Sequence, residues 1–171
     1  MEPIVESGMI FGPYSAGHCF HVEKSNLLKD LGAGVKTAEI LVLRADREMP
    51  QVLVIEAKSS SPRAENGPRF SEYIAEIQEK LVNGFNLGVA SILKRHSLAQ
   101  SELPNPFQEI DLAACQFFLV LIINGHKKEW LPPLKEALGR ALDSTVKTWA
   151  LGPSAVLVLN EEGARKKNLI K

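Results

Sequence analysis

A chain of 171 residues that is 45% hydrophobic is long enough to bury a substantial core as one domain and too apolar for general disorder. Twenty basic and twenty acidic side chains cancel, which excludes a global positive field for nucleic acid, so any such surface must be local. Cys19 and Cys115 lie far apart without a Cys-x-x-Cys pairing, which excludes a disulfide framework. With no basic-then-apolar leader and no apolar run of membrane length, the expectation is a cytoplasmic protein without a membrane partner.

Residues 1 to 17 mix Gly8, Gly12, Pro13 and Gly17 with Met9, Ile10, Phe11 and Tyr14, a pattern that predicts an irregular, partly packed arm over a sheet edge. HCFHVEKS follows as a short strand, then NLLKDL as a brief helix capped by Ser25 and stopped by Gly32. His18, His21 and Glu23 carry donors of the type zinc accepts. Zinc histidines are best specified at i and i+4 on a helical face, however, and here the spacing is i, i+3 in an extended segment, so this reading ranks third. Gly32-Ala-Gly34-Val-Lys36-Thr37 lacks the Gly-Lys-Ser/Thr adjacency of a phosphate loop and leads into a strand, so its glycines are read as turn residues.

VKTAEILVLR and QVLVIEAK, joined by ADREMP, predict an antiparallel hairpin. A turn centred between Arg47 and Glu48 sets Leu43 against Val52, Leu41 against Val54 and Glu39 against Glu56, with opposed residues about 4.5 to 5.5 Å apart. Alternation puts Lys58 on the Glu56 face. Both runs are apolar on both faces, so the two acids sit at the margin of a core. There they require a shared proton or a cation. A hard divalent ion suits them, since Mg²⁺ is typically held by one or two carboxylates plus waters and substrate phosphate. An ammonium beside it, here Lys58, would orient water or offset developing charge.

At these residues the sequence resembles the PD-(D/E)XK nuclease superfamily, which has a restriction-endonuclease-like fold. Glu39 matches the acid of one strand and Glu56-Ala57-Lys58 the acid-x-Lys of the next, with Ala38-Glu39 in place of the usual Pro-Asp. The resemblance implies metal-dependent hydrolysis of phosphodiester bonds in nucleic acid, DNA ranked ahead of RNA. It implies Mg²⁺ (or Mn²⁺) held by Glu39, Glu56 and the Ala57 carbonyl, with Lys58 acting on the attacking water and Glu23 as an added acid. A homodimer or a partner protein is expected by analogy alone. A second reading is a catalytically silent domain of the same fold that binds or assembles, supported by the neutral charge and the lack of an appended DNA-reading motif.

SSSPRAENGPR is a polar loop beside the proposed site, where Arg63 and Arg69 are candidates to meet phosphate. A helix from about Phe70 to about His96 follows, with Phe70, Tyr73, Ile74, Ile77, Leu81 and Phe85 on its buried face and Gln78 and Lys80 away from it. In the resembled superfamily this helix often adds a polar residue to the site. After a connection rich in proline, CQFFLVLIIN reads as an interior strand, WLPPLKEALGRALDSTVKTW as a helix and SAVLVLN as a parallel strand. The expected architecture is one α/β domain over residues 1–171, a mixed β-sheet flanked by helices with a restriction-endonuclease-like core.

Overall fold

The computed structural model describes residues 3–171; Met1 and Glu2 of the predicted arm lie outside them. In chain order the elements are β1 (Ile4–Glu6), β2 (Met9–Phe11), β3 (Cys19–Phe20), α1 (Asn26–Asp30), β4 (Ile40–Arg44) and β5 (Gln51–Lys58). Then come α2 (Pro68–Ile92), α3 (Ala99–Glu102), α4 (Asn105–Gln108), β6 (Gln116–Ile123), α5 (Leu131–Thr148), β7 (Val156–Asn160) and α6 (Glu161–Lys166). One five-stranded sheet runs β3-β4-β5-β6-β7, antiparallel up to β5 and parallel from β5 to β7. This is the mixed, helix-flanked α/β sheet expected of the sequence. Among the described residues no helix is long and apolar enough to cross a membrane.

Alternation along the strands builds a core on each face of the sheet. Leu41, Leu43, Val52 and Val54 pack with Ile77, Leu81 and Phe85 of α2 and with Leu134, Leu138 and Leu142 of α5. Ile40, Val42, Leu53, Ile55 and Ala57 pack with Met9 and Phe11 of β2 and with Ala164, Leu169 and Ile170 at the C-terminal end. The arm therefore covers a face, not an edge, and is regular where the sequence suggested irregular turns. Met9, Ile10 and Phe11 alternate buried, exposed, buried, and Ser7 and Gly8 join the strands with φ of 51° and 77°. Positive φ at both positions is what a two-residue type I′ hairpin turn requires.

Of HCFHVEKS only Cys19 and Phe20 are strand, paired with Val42 and Leu41, because the chain turns at once into α1. There the Ser25 hydroxyl accepts from Leu28 N, the predicted cap. The N–H groups of Asn26 and Leu27 donate to the Glu102 carboxylate at 3.2 and 2.8 Å, which ties the long connection to α1.

Helix α2 is shorter at its C-terminal end than its sequence pattern, since Lys94 takes φ 58° just beyond it. Gly84 makes the closest approach to the sheet: a Cβ there would lie 2.9 Å from Ala38 Cβ and 3.0 Å from Val54 Cγ1. Within the same contact Ala38 N–H donates to the Lys80 carbonyl at 2.9 Å, fixing the helix against the start of β4. Gln78 neither reaches the site nor stays at the surface. Its Nε2 donates to the Ala141 carbonyl at 2.7 Å and docks α2 on α5.

Gly84→Ala should therefore destabilise the protein by about 1 to 2 kcal/mol, because overpacking outweighs the gain in helix propensity. Gly139→Ala, on α5 with nothing within 4 Å of an added Cβ, should stabilise it by about 0.5 to 1 kcal/mol. Urea unfolding of the two variants gives opposite signs if α2 packs as described.

Candidate active site

The site forms where β4 begins and β5 ends, outside the C-terminal ends of the parallel strands β5 and β6, the usual ligand position on open α/β sheets. The hairpin register is the predicted one, with Leu43 opposite Val52 and Leu41 opposite Val54. The ladder stops at Ile40 opposite Ile55. Glu39 is not paired directly with Glu56, because its N–H donates to the Ile55 carbonyl at 3.1 Å. Glu39 and Ile40 thus both meet Ile55, a bulge-like step that ends pairing. Both acids nevertheless converge on the α2 side.

What gathers them is Lys80. Its ammonium lies 2.8 Å from Glu56 Oε1, 3.3 Å from Glu23 Oε1 and 3.9 Å from Glu39 Oε1. Glu56 is 0% exposed, Glu39 7% and Lys80 8%, so this is a buried ionic cluster and not a solvated one. Lys58 bridges its open side, 3.3 Å from Glu56 Oε1 and 2.8 Å from Glu76 Oε1. Glu23, Glu39, Glu56 and Lys58 are thus brought together as the sequence suggested. Lys80 and Glu76 join them from α2, and neither had been assigned to the site. Their signal is the helical spacing of Tyr73, Glu76 and Lys80, which places all three on one face.

Charge does not balance within the cluster. Four carboxyl groups face two ammoniums, and Glu39 Oε2 and Glu56 Oε2 are buried with no hydrogen-bond partner. Burial, a hydrogen bond with Glu23 and the fields of Glu56 and Glu23 raise Glu39 to about 8. The same hydrogen bond holds Glu23 below the ordinary carboxylate range. Burial raises Glu56 against the opposing pull of Lys80 and Lys58. For Lys80 burial acts to lower the pKa, but the bond to Glu56 and the surrounding carboxylates outweigh it and raise it. Raised to about 8, Glu39 keeps its proton at neutral pH.

Around the cluster the predicted contacts separate. Ser60, Ser61, Arg69, Tyr73 and Glu76 line a cavity of about 470 Å³ next to Lys58. Arg69 is thus beside the site, whereas Arg63 stacks on Trp130, 4.2 Å from the ring centre. The Ala57 carbonyl accepts from Ser7 Oγ at 3.0 Å. His18 and His21 do not form a pair: His18 Nδ1 is exposed and 2.9 Å from the Ala16 carbonyl, while His21 Nε2 is 3.1 Å from Glu6 Oε1.

The raised Glu39 carboxyl sets a pH dependence of folding. The folded protein keeps a proton that the unfolded chain has lost above the ordinary carboxylate range, so stability falls as pH rises toward about 8. In metal-free buffer, chemical denaturation from pH 5 to about 8 should show this decline, and Glu39→Gln should flatten it. An unchanged slope in the variant would mean that Glu39 is already ionised at pH 5.

Comparison with known proteins yields no family model, no characterised protein and no solved structure that matches this chain.

Proposed function

We propose that the chain is a divalent-metal-dependent nuclease that hydrolyses phosphodiester bonds at the Glu39, Glu56 and Lys58 cluster. The observation that carries the reading is the pair of buried carboxylate oxygens without partners, Glu39 Oε2 and Glu56 Oε2, in a cluster whose carboxyls outnumber its ammoniums. Orphaned buried acceptors of this kind call for a cation or a proton. The donors fit Mg²⁺ or Mn²⁺, because all are oxygens: Glu39, Glu56 and the Ala57 carbonyl, which keeps one lone pair beyond its bond from Ser7.

When bound, the ion would polarise the phosphate and acidify a water. The chain's own groups do the remaining work. Lys58, 24% exposed at the rim, would hold the attacking water and offset charge as its oxygen bonds to phosphorus and the ester oxygen leaves. Glu76 keeps that ammonium in place, and is itself held below the ordinary carboxylate range by it. Glu39 would lose its proton to solvent as the ion binds, with the ionised Glu23 beside it as the added acid, and the attacking water's proton would pass through solvent to the departing ester oxygen. Arg69 lies where a neighbouring phosphate would pass, which gives an overall neutral chain a local cationic contact. DNA stands ahead of RNA through the resemblance to the PD-(D/E)XK superfamily, and a homodimer or partner protein is an analogy with its small members.

One feature favours the silent binding or assembly module. The Lys80 ammonium already neutralises Glu56, so the pocket has an internal cation. Cleavage distinguishes the two. Lys58→Ala should fold and bind metal but cut single- or double-stranded DNA or RNA about 10² to 10³ times more slowly with Mg²⁺ or Mn²⁺. If the parent cuts none of these, or the variant cuts equally well, the module reading replaces the nuclease.

Metal binding gives an independent measure. The melting temperature of the parent should rise with Mg²⁺ by mass action. In Glu56→Gln the rise should vanish, while metal-free stability falls because the buried Lys80 ammonium loses its nearest carboxylate. A variant that responds as the parent does would place the ion elsewhere.

A further inference from the structure

We infer that Glu6, His21 and Glu39 form a second cation site, which takes a first-row transition ion, Zn²⁺ in the first instance, in preference to Mg²⁺. Three separate pieces of chain supply it: the end of β1, the turn after β3 and the residue before β4. One ligand atom from each residue lies within 4.8 Å of the others. The His21 Nε2 to Glu6 Oε1 separation is 3.1 Å. Two ligands at about 2.0 to 2.2 Å from a common ion lie roughly 2.8 to 3.6 Å apart at right-angled or tetrahedral geometry.

Two features point to a ligand and not to a self-contained cluster. Glu39 is 7% exposed, and its Oε2 is buried with no hydrogen-bond partner. His21 Nε2 is buried in the same condition, since its short contact to Glu6 lacks hydrogen-bond geometry. The competing cation on Glu6 is Lys24, whose side chain is 63% exposed and free to turn into solvent. One imidazole with two carboxylates is a borderline donor set. Nitrogen of this kind suits zinc, whereas Mg²⁺ prefers oxygen alone. The site shares Glu39 with the hydrolytic pocket but uses neither Glu56 nor Lys58, so it does not depend on nuclease activity.

Isothermal titration calorimetry on the metal-stripped full chain tests it, with Zn²⁺ and Mg²⁺ titrated separately. The parent and Glu56→Gln should bind one equivalent of Zn²⁺ with similar affinity. His21→Asn and Glu6→Gln should each weaken that binding by about tenfold or more, while His21→Asn leaves the Mg²⁺ response unchanged. On the unmutated protein, one equivalent of Zn²⁺ should shift the ring-proton resonances of His21 ahead of those of His18, which lies outside the three-residue group. Equal Zn²⁺ affinity in His21→Asn and parent, or His21 resonances that do not move, overturns the assignment. That outcome leaves cleavage with Mg²⁺ untouched, and absent cleavage leaves Zn²⁺ binding at His21 untouched, so the two failures are distinguishable.

Discussion

A buried ammonium organises this end of the molecule. Lys80 reaches three carboxyl groups from three different segments, Glu23 after β3, Glu39 before β4 and Glu56 on β5. It can do so only because α2 lies so close to the sheet at Gly84, where even a methyl group would collide with Ala38 and Val54. The Ala38 N–H bond to the Lys80 carbonyl then sets the helix one residue away from Glu39. A glycine contact four residues along the helix thus determines where the charge sits. Buried ion pairs gain little net stability once desolvation is counted, so a core of this size had cheaper ways to fill the space. The cluster is therefore a candidate functional site, and the raised carboxyl at Glu39 is of the kind such sites carry.

The helix also explains why Lys58 is available. If Glu56 had Lys58 as its sole counter-charge, that ammonium would be fixed on the acid. With Lys80 at 2.8 Å and Lys58 at 3.3 Å from the same oxygen, the nearer partner is the buried one. Lys58 is held on its other side by Glu76, whose carboxylate is 43% exposed. Pairs at that depth are weak and screened. Lys58 can therefore exchange Glu76 for an incoming group without leaving a buried charge uncompensated.

How much of this was legible in the sequence depended on periodicity. The β4–β5 register could be read because a single turn fixes all opposed pairs, and alternation carried Glu39, Glu56 and Lys58 to one face. The same rule failed by one step at Glu39, since a bulge leaves no mark in composition. Lys80 was placed outside the apolar stripe of α2, and a polar residue there reads as solvated until the bulk facing it is known. Gln78 is similar, its partner being a carbonyl on α5 63 residues later. The arm was misread because its strands are three residues long, too short for a period to register. The histidines show the limit of spacing arguments most clearly. His18 and His21 are near in sequence but have different partners, and the acids that surround His21 come from Glu6 and Glu39, 15 and 18 residues away.

The N-terminal arm therefore has two roles that follow from one piece of geometry. Met9 and Phe11 seal the sheet face opposite α2, while the Ser7-Gly8 turn brings the chain to the open end of β5, past the first residue of β4. There β5 has no antiparallel neighbour, and the Ala57 carbonyl would be left unpaired; Ser7 Oγ supplies the missing donor. The adjoining Glu6 reaches His21 and the neighbourhood of Glu39. Glu39 is thus approached from one side by Lys80 and Glu23 and from the other by Glu6 and His21. A carboxyl so placed is costly to ionise with Lys80 as its sole nearby buried cation. The bulge that removed Glu39 from the ladder gives it that position, because a residue still paired with Glu56 would face α2 alone.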